Sequence, residues 1–179
     1  MAGVAELIVV SGPPGAGKST VARLLADGYQ RSALVVGDEF FAFVRQGYLD
    51  PWRDEAHQQN DVVMRAAAAA TGRLVDGGYS VVYDGVIGPW FSAVFLAATG
   101  LPALHYAVLL PPLECCLARV TGRTGHGFTD LAATGQVHRQ FAAAGIPARY
   151  LVTGEEPPEQ IAEYVRRKMA AGDLAYRGH

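Results

Sequence analysis

Residues 7–25 read LIVVSGPPGAGKSTVARLL: an apolar run ending in serine, an eight-residue turn with three glycines and two prolines, then a helical apolar period. A chain that leaves a buried strand and enters a helix at once has few folds open to it. The helix carries the chain back along the sheet, so the next strand lies parallel to the first. The turn, Gly12-Pro13-Pro14-Gly15-Ala16-Gly17-Lys18-Ser19, fits G-x-x-x-x-G-K-[ST] at every position. Its glycines let the backbone curl so that successive N–H groups point inward at an anion. The following helix aims the positive end of its dipole at the same point. In such a cradle Lys18 reaches the β- and γ-phosphates of a nucleotide, and the Ser19 hydroxyl ligates Mg²⁺. Thr20 is the next candidate phosphate contact.

The rest of the chain repeats the strand–helix alternation. Apolar runs of strand length occupy 7–10, 33–36, 80–83, 104–110 and 149–152, with helical patterns over 18–27, 39–46, 55–76, 90–98, 112–121, 129–144 and 158–171. The strands are almost wholly apolar, as burial on both faces demands. The expectation is one α/β domain over residues 1–179, with "YRGH" at the end free to fray. Half of the residues are apolar and the net charge is -2, which argues against binding along a nucleic-acid backbone. No apolar run is long enough to span a membrane, and the first ten residues lack the basic region of a secretion signal. With Cys115 and Cys116 the only cysteines, a reducing cytoplasm is expected, and the two read as packing residues.

The segments "SGPPGAGKST", "VVGDEFF", "HQQN", "VVYDG" and "ARVTGR" resemble those of the small P-loop kinases, the group of chloramphenicol phosphotransferase, gluconate kinase and shikimate kinase. They are also similar to a bacterial branch of AAA-type ATPases and zeta-toxin-like kinases. The resemblance implies a three-layer P-loop NTPase fold: a five-stranded parallel sheet of order 2-3-1-4-5, helices on both faces and a short lid. It also implies phosphoryl transfer from ATP with Mg²⁺.

Asp38 and Asp84 each follow an apolar strand, so both stand at C-terminal strand ends, where open parallel sheets build their sites. If the third strand lies beside the first, Asp84 occupies the Walker-B position and holds Mg²⁺; otherwise it is a turn aspartate before Gly85. The kinases that the chain resembles place an acid at Asp38 to orient or deprotonate the acceptor hydroxyl. A helix N-cap is the alternative role for Asp38, and Glu39 is a second candidate base. Arginines of those kinases close a lid over ATP, which points to Arg119 and Arg123 and to a lid over about 121–130, where 122–128 hold three glycines. Solvated surface arginines are the alternative. His126 reads as exposed loop and His138 as an ordinary helical histidine or one facing the site, while the resemblance implies that the backbone of 153–156, after the fifth strand, passes adenine.

The acceptor pocket is expected from Phe40, Phe41, Trp52, Arg53, His57, Gln58, Asn60, Val86 and Trp90. Arg53 is the only basic residue among them, so the mixture suits a neutral or weakly charged hydroxylated metabolite or antibiotic-like compound. The competing function is a nucleotide-binding regulatory switch without a small-molecule acceptor. The chain is expected to act as a monomer or homodimer.

Overall fold

The computed structural model describes residues 5–122 and 129–178. Strand β1 (Leu7–Ser11) is buried along its whole length. It lies between β3 (Ser80–Asp84) and β4 (Leu104–Leu109), parallel to both. Beyond β3 comes β2 (Ser32–Val36), and beyond β4 comes β5 (Leu151–Val152), so the parallel strands run β2-β3-β1-β4-β5. This is the order that the resemblance implies.

Helices α1 (Lys18–Ala26), α2 (Gly37–Phe41), α3 (His57–Asp76), α4 (Pro89–Thr99), α5 (Leu113–Thr121), α6 (Leu131–Ala143) and α7 (Pro158–Ala170) cover both faces. Contacts pair α1 with α7, α3 with α4, and α5 with α6. The apolar residues of the central strands, among them Ile8, Val9, Val10, Val81, Val82, Ala107 and Val108, are wholly buried. The core therefore runs on both sides of β1, as near-continuous apolar strands require.

Three segments differ from the sequence expectation. The helix expected over 39–46 stops at Phe41, because its continuation finds no surface to bury an apolar face: Phe43 is 74% exposed. The strand expected from residue 149 begins at Leu151, after a 3-10 turn over Ala148–Tyr150. The C-terminus does not fray where "YRGH" begins. Strand β6 (Ala175–Tyr176) pairs antiparallel with β4 and makes the sheet six-stranded. Wholly buried Leu174 anchors it, and the Tyr176 ring packs 5.9 Å from Tyr106 and 6.2 Å from Tyr150.

Candidate active site

The turn between β1 and α1 is a closed loop with little room to move. Gly12 and Gly15 have φ of 139° and 78°, outside the range that side-chain-bearing residues favour. A Cβ on Gly12 would stand 2.1 Å from the Leu109 carbonyl oxygen, and one on Gly15 would stand 2.3 Å from that of Cys116. The loop is thus pressed against the end of β4 and against α5. Lys18 is buried, and its Nζ donates to the Pro13 oxygen at 2.9 Å, folding the ammonium over the loop. The N-cap of α1 is Gly17, which has no side chain to accept from the first-turn amides; they remain available to an anion.

Gly12→Ala is expected to cost about 3 kcal/mol or more, since it combines backbone strain with a clash against fixed main chain. The control is Gly145→Ala, where φ is 62° and no atom lies within 4 Å, and which should cost only about 1–2 kcal/mol. Urea denaturation of the two variants measures the difference.

The carboxylates come from the two strands on one side of β1. Asp84 ends β3, in register with Val10 of β1 and Val36 of β2, and is 4% exposed. The third strand therefore does lie beside the P-loop strand. Asp38 follows two residues after Val36, inside the first turn of α2. The N-cap is Val36, so Asp38 is not the capping residue. Tyr83, unremarked in the sequence, stands near both acids. Burial first, and then Asp38 and Asp84, push its phenol well above the usual tyrosine range. Its hydroxyl approaches Gly37 so closely that a Cβ there would lie 2.1 Å away. Behind the site, Ser11 Oγ donates to the Ile87 oxygen at 2.7 Å and accepts from the Ile87 N–H at 3.0 Å, while Tyr106 donates to the same oxygen at 2.5 Å. This knot fixes the segment after β3 that presents Val86 and Ile87.

These parts open onto one cavity of about 1080 Å³. Pro14, Lys18 and Ser19 line it at one side, with Asp38, Asp84, Phe41, Trp52, Arg53, His57, Asn60, Val86 and Trp90 around the rest. Of the expected residues, Gln58 and Phe40 are not in its wall. Gln58 is solvent-exposed, one position out of phase with the inner face of α3, and Phe40 packs edge-on against Phe43 at 5.5 Å. Thr20 is exposed outside the wall. Arg119 lies on the outer side of the loop, its Nη1 donating to the Ala16 oxygen at 3.2 Å and the Gly15 oxygen at 3.4 Å. Arg123 and His126 lie outside the described residues.

Several contacts that build the wall escaped the sequence reading. Gln59 clamps Leu49 twice, accepting from its N–H at 2.8 Å and donating to its carbonyl at 2.7 Å. Asn60 Nδ2 donates to the Pro51 oxygen at 2.6 Å, and Gln136 Nε2 to the Trp52 oxygen at 3.2 Å. Together they fasten the irregular segment 49–52 to α3 and α6. Tyr48, Met64 and Phe91 complete the apolar wall, and the His57 ring stacks on Phe91 with centroids 5.4 Å apart. His138 serves the framework: its Nε2 bonds to the Pro111 oxygen at 2.9 Å.

A smaller hollow of about 410 Å³ lies between the 151–156 segment and α7. Cys115 departs from the packing role expected for it. It is only partly buried, and its Sγ donates to Glu155 Oε2 at 2.8 Å, a bond that raises the thiol above its ordinary value. Cys116 is buried in the core.

Solved structures share this architecture. A sugar kinase from Janibacter sp. HTCC2649 is 22% identical, with 93% of this chain covering 95% of that one at a TM-score of 0.70. The tunicamycin resistance protein of Deinococcus radiodurans is 18% identical, with coverage of 92% and 95% and a TM-score of 0.69. A gluconokinase from Sinorhizobium meliloti 1021 is 18% identical, with coverage of 95% and 94% and a TM-score of 0.65. The shared fold is that of the small P-loop kinases, a parallel sheet of order 2-3-1-4-5 between helical layers. In sequence, residues 8–127, from β1 past the end of α5, match the AAA domain family, and the chain belongs to that family.

Proposed function

We propose that this protein is a kinase that moves the γ-phosphate of ATP to a hydroxyl of a small molecule. One observation carries the reading: a single cavity joins Lys18 and Ser19 of the phosphate loop to Asp38 and then to an aromatic chamber. A phosphate loop alone serves a switch as well as a kinase. A chamber with a carboxylate at its threshold gives a second substrate somewhere to sit. The solved sugar kinase and gluconokinase with the same fold support the reading.

In this reading the amides of residues 15–20 and the Lys18 ammonium hold the β- and γ-phosphates. The donor set fits Mg²⁺: the Ser19 hydroxyl and the buried Asp84 carboxylate line the same cavity and would hold the ion together with water. When bound, the ion neutralises charge on the phosphate oxygens. Asp38 orients the acceptor hydroxyl and takes its proton as the new O–P bond forms. The bond from the γ-phosphorus to the β,γ-bridging oxygen breaks, and its electron pair leaves with ADP. Arg123 meets the phosphates from the lid over 121–130, which keeps water out, and Arg119, near the end of α5, serves the adenine side or the base of that lid. The backbone of 153–156 borders the adenine. The unit is one cytoplasmic domain, a monomer or homodimer, without nucleic-acid or membrane partners.

The test is ADP release from Mg²⁺-ATP in the presence of a library of alcohols, with the phosphorylated product identified by mass. At least one alcohol is expected to raise ADP release about tenfold or more above the water rate. ATP binding without acceleration by any alcohol, together with a response to a protein partner, would instead make the chain a regulatory ATPase.

A further inference from the structure

A phosphoryl group that leaves the phosphate loop for an alcohol at Asp38 has a path set by the strand order, given the phosphotransferase reading above. The loop follows β1, Asp38 follows β2, and β3 lies between those strands. The transfer therefore crosses the C-terminal end of β3, which is formed by Tyr83 and Asp84. Asp84 has the metal ion to hold. Tyr83 has no part in the reaction as described so far.

The Tyr83 side chain is held firmly. Its ring packs edge-on against Phe95 with centroids 4.7 Å apart. A Cβ on Gly37 would stand 2.1 Å from its hydroxyl oxygen, and one on Gly85 would stand 2.6 Å from its ring. Gly37 precedes Asp38 and Gly85 follows Asp84, so the phenol lies against the backbone that carries each carboxylate. The residue is 3% exposed and lines the cavity. The hydroxyls of Tyr29, Tyr106, Tyr150 and Tyr176 are bonded to Glu6, Ile87, Ala175 and Ser92. That of Tyr83 has no hydrogen bond among the described residues. Nor is it sealed off: the sealed side-chain polar atoms without a partner, among the described residues, are Asn60 Oδ1 and His105 Nδ1. The hydroxyl keeps an open face, and the space it lines is the cavity.

A fixed neutral donor in this place suits a phosphoryl group in transit. Negative charge spreads over the equatorial oxygens as the bond to ADP lengthens. A donor already held in the wall meets that charge without reorganisation. Burial, and then the nearby Asp38 and Asp84, keep the phenol protonated well beyond the usual tyrosine range, so it remains a donor at any working pH.

We infer that Tyr83 is a further catalytic residue, whose O–H donates a hydrogen bond to an oxygen of the phosphoryl group as it passes from the phosphate loop to the acceptor at Asp38. The phenol keeps its proton throughout, and the proton of the acceptor still goes to Asp38.

Tyr83→Phe removes the hydroxyl and keeps the ring against Phe95. Calorimetry in Mg²⁺ compares its affinity for ADP with its affinity for ADP plus aluminium fluoride, an anion that stands in for the phosphoryl group in transit. No alcohol is needed, so the result does not wait on the acceptor. Affinity for ADP plus aluminium fluoride should fall about tenfold to a hundredfold, while that for ADP alone stays within about twofold and the urea midpoint holds. With any alcohol that accelerates ADP release, kcat should fall by a similar factor at an unchanged KM.

An undiminished affinity for ADP plus aluminium fluoride overturns the inference. So does an equal loss for both ligands, which marks a hydroxyl that supports the fold or the nucleotide and not the phosphoryl group. If no alcohol accelerates ADP release but the aluminium fluoride complex weakens selectively, the kinase reading falls and Tyr83 keeps its role, toward a phosphoryl group passed to water. If the wild type binds ADP no more tightly with aluminium fluoride than without it, both readings fall.

Discussion

Lys18→Ala should lower ATP-dependent phosphoryl transfer about a thousandfold and leave the fold in place. Lys18 opens α1, is 9% exposed, and holds its ammonium 2.9 Å from the Pro13 oxygen at the mouth of the loop. A charge already ordered and desolvated there meets the phosphates without reorganisation, which is what makes such a group effective in the transition state. Alanine is a good helix former, and Val21, Ala22, Leu25 and Ala26 carry the apolar packing of α1. The urea midpoint should therefore shift by no more than about 1 kcal/mol worth of stability. Lys18→Arg should be nearly as inactive, because a planar guanidinium is neither the size nor the shape of the ammonium that this buried position accepts. Initial rates of ADP release, alongside calorimetric ATP binding, check both. Wild-type rates in Lys18→Ala would remove the phosphate loop from the chemistry.

Local continuity decided what was legible in the sequence. The phosphate loop is strand, turn and helix in unbroken succession, so its identity and place follow from residues 7–25 alone. Asp84 and Asp38 were legible for a related reason: an apolar run marks the strand, and an acid just beyond it marks the strand end. What stayed hidden depends on elements far apart in the chain. Gln58 and Gln59 differ by one helical position, about 100° of rotation, and only the true start of α3 at His57 decides which one faces Leu49. Tyr83 reads as an ordinary inward strand residue until α2 brings Gly37 against its hydroxyl. Strand β6 is two residues long and has no periodicity to find; its partner β4 lies some 70 positions earlier. The sequence offered Arg119 as a lid or a surface arginine, but not as one bonded to the carbonyls of Gly15 and Ala16, because that contact needs α5 laid against the loop.

Asp38→Asn separates the chemistry of the site from its architecture. Transfer to the alcohol should fall about 10²–10⁴-fold, with the affinity for ATP changed by no more than about twofold. The amide keeps the shape of the carboxylate and can still bond to an acceptor hydroxyl, but it cannot take the proton. Asp38 lines the cavity from the first turn of α2, and the N-cap there is Val36, so the substitution leaves the capping residue in place. What it does remove is a negative charge near a helix N-terminus, worth about 0.3–1 kcal/mol. A small drop in stability with a large drop in turnover is the pattern of a base. A large drop in both would mark a structural acid. Glu39 provides the internal comparison: it follows Asp38 in the same turn, is exposed, and does not line the cavity. Glu39→Gln should keep turnover within about twofold of the wild type while losing a similar increment of dipole stabilisation. If Asp38→Asn turned over normally and Glu39→Gln did not, the proton acceptor would sit one residue further along α2, and the approach of the acceptor hydroxyl would have to rotate with it.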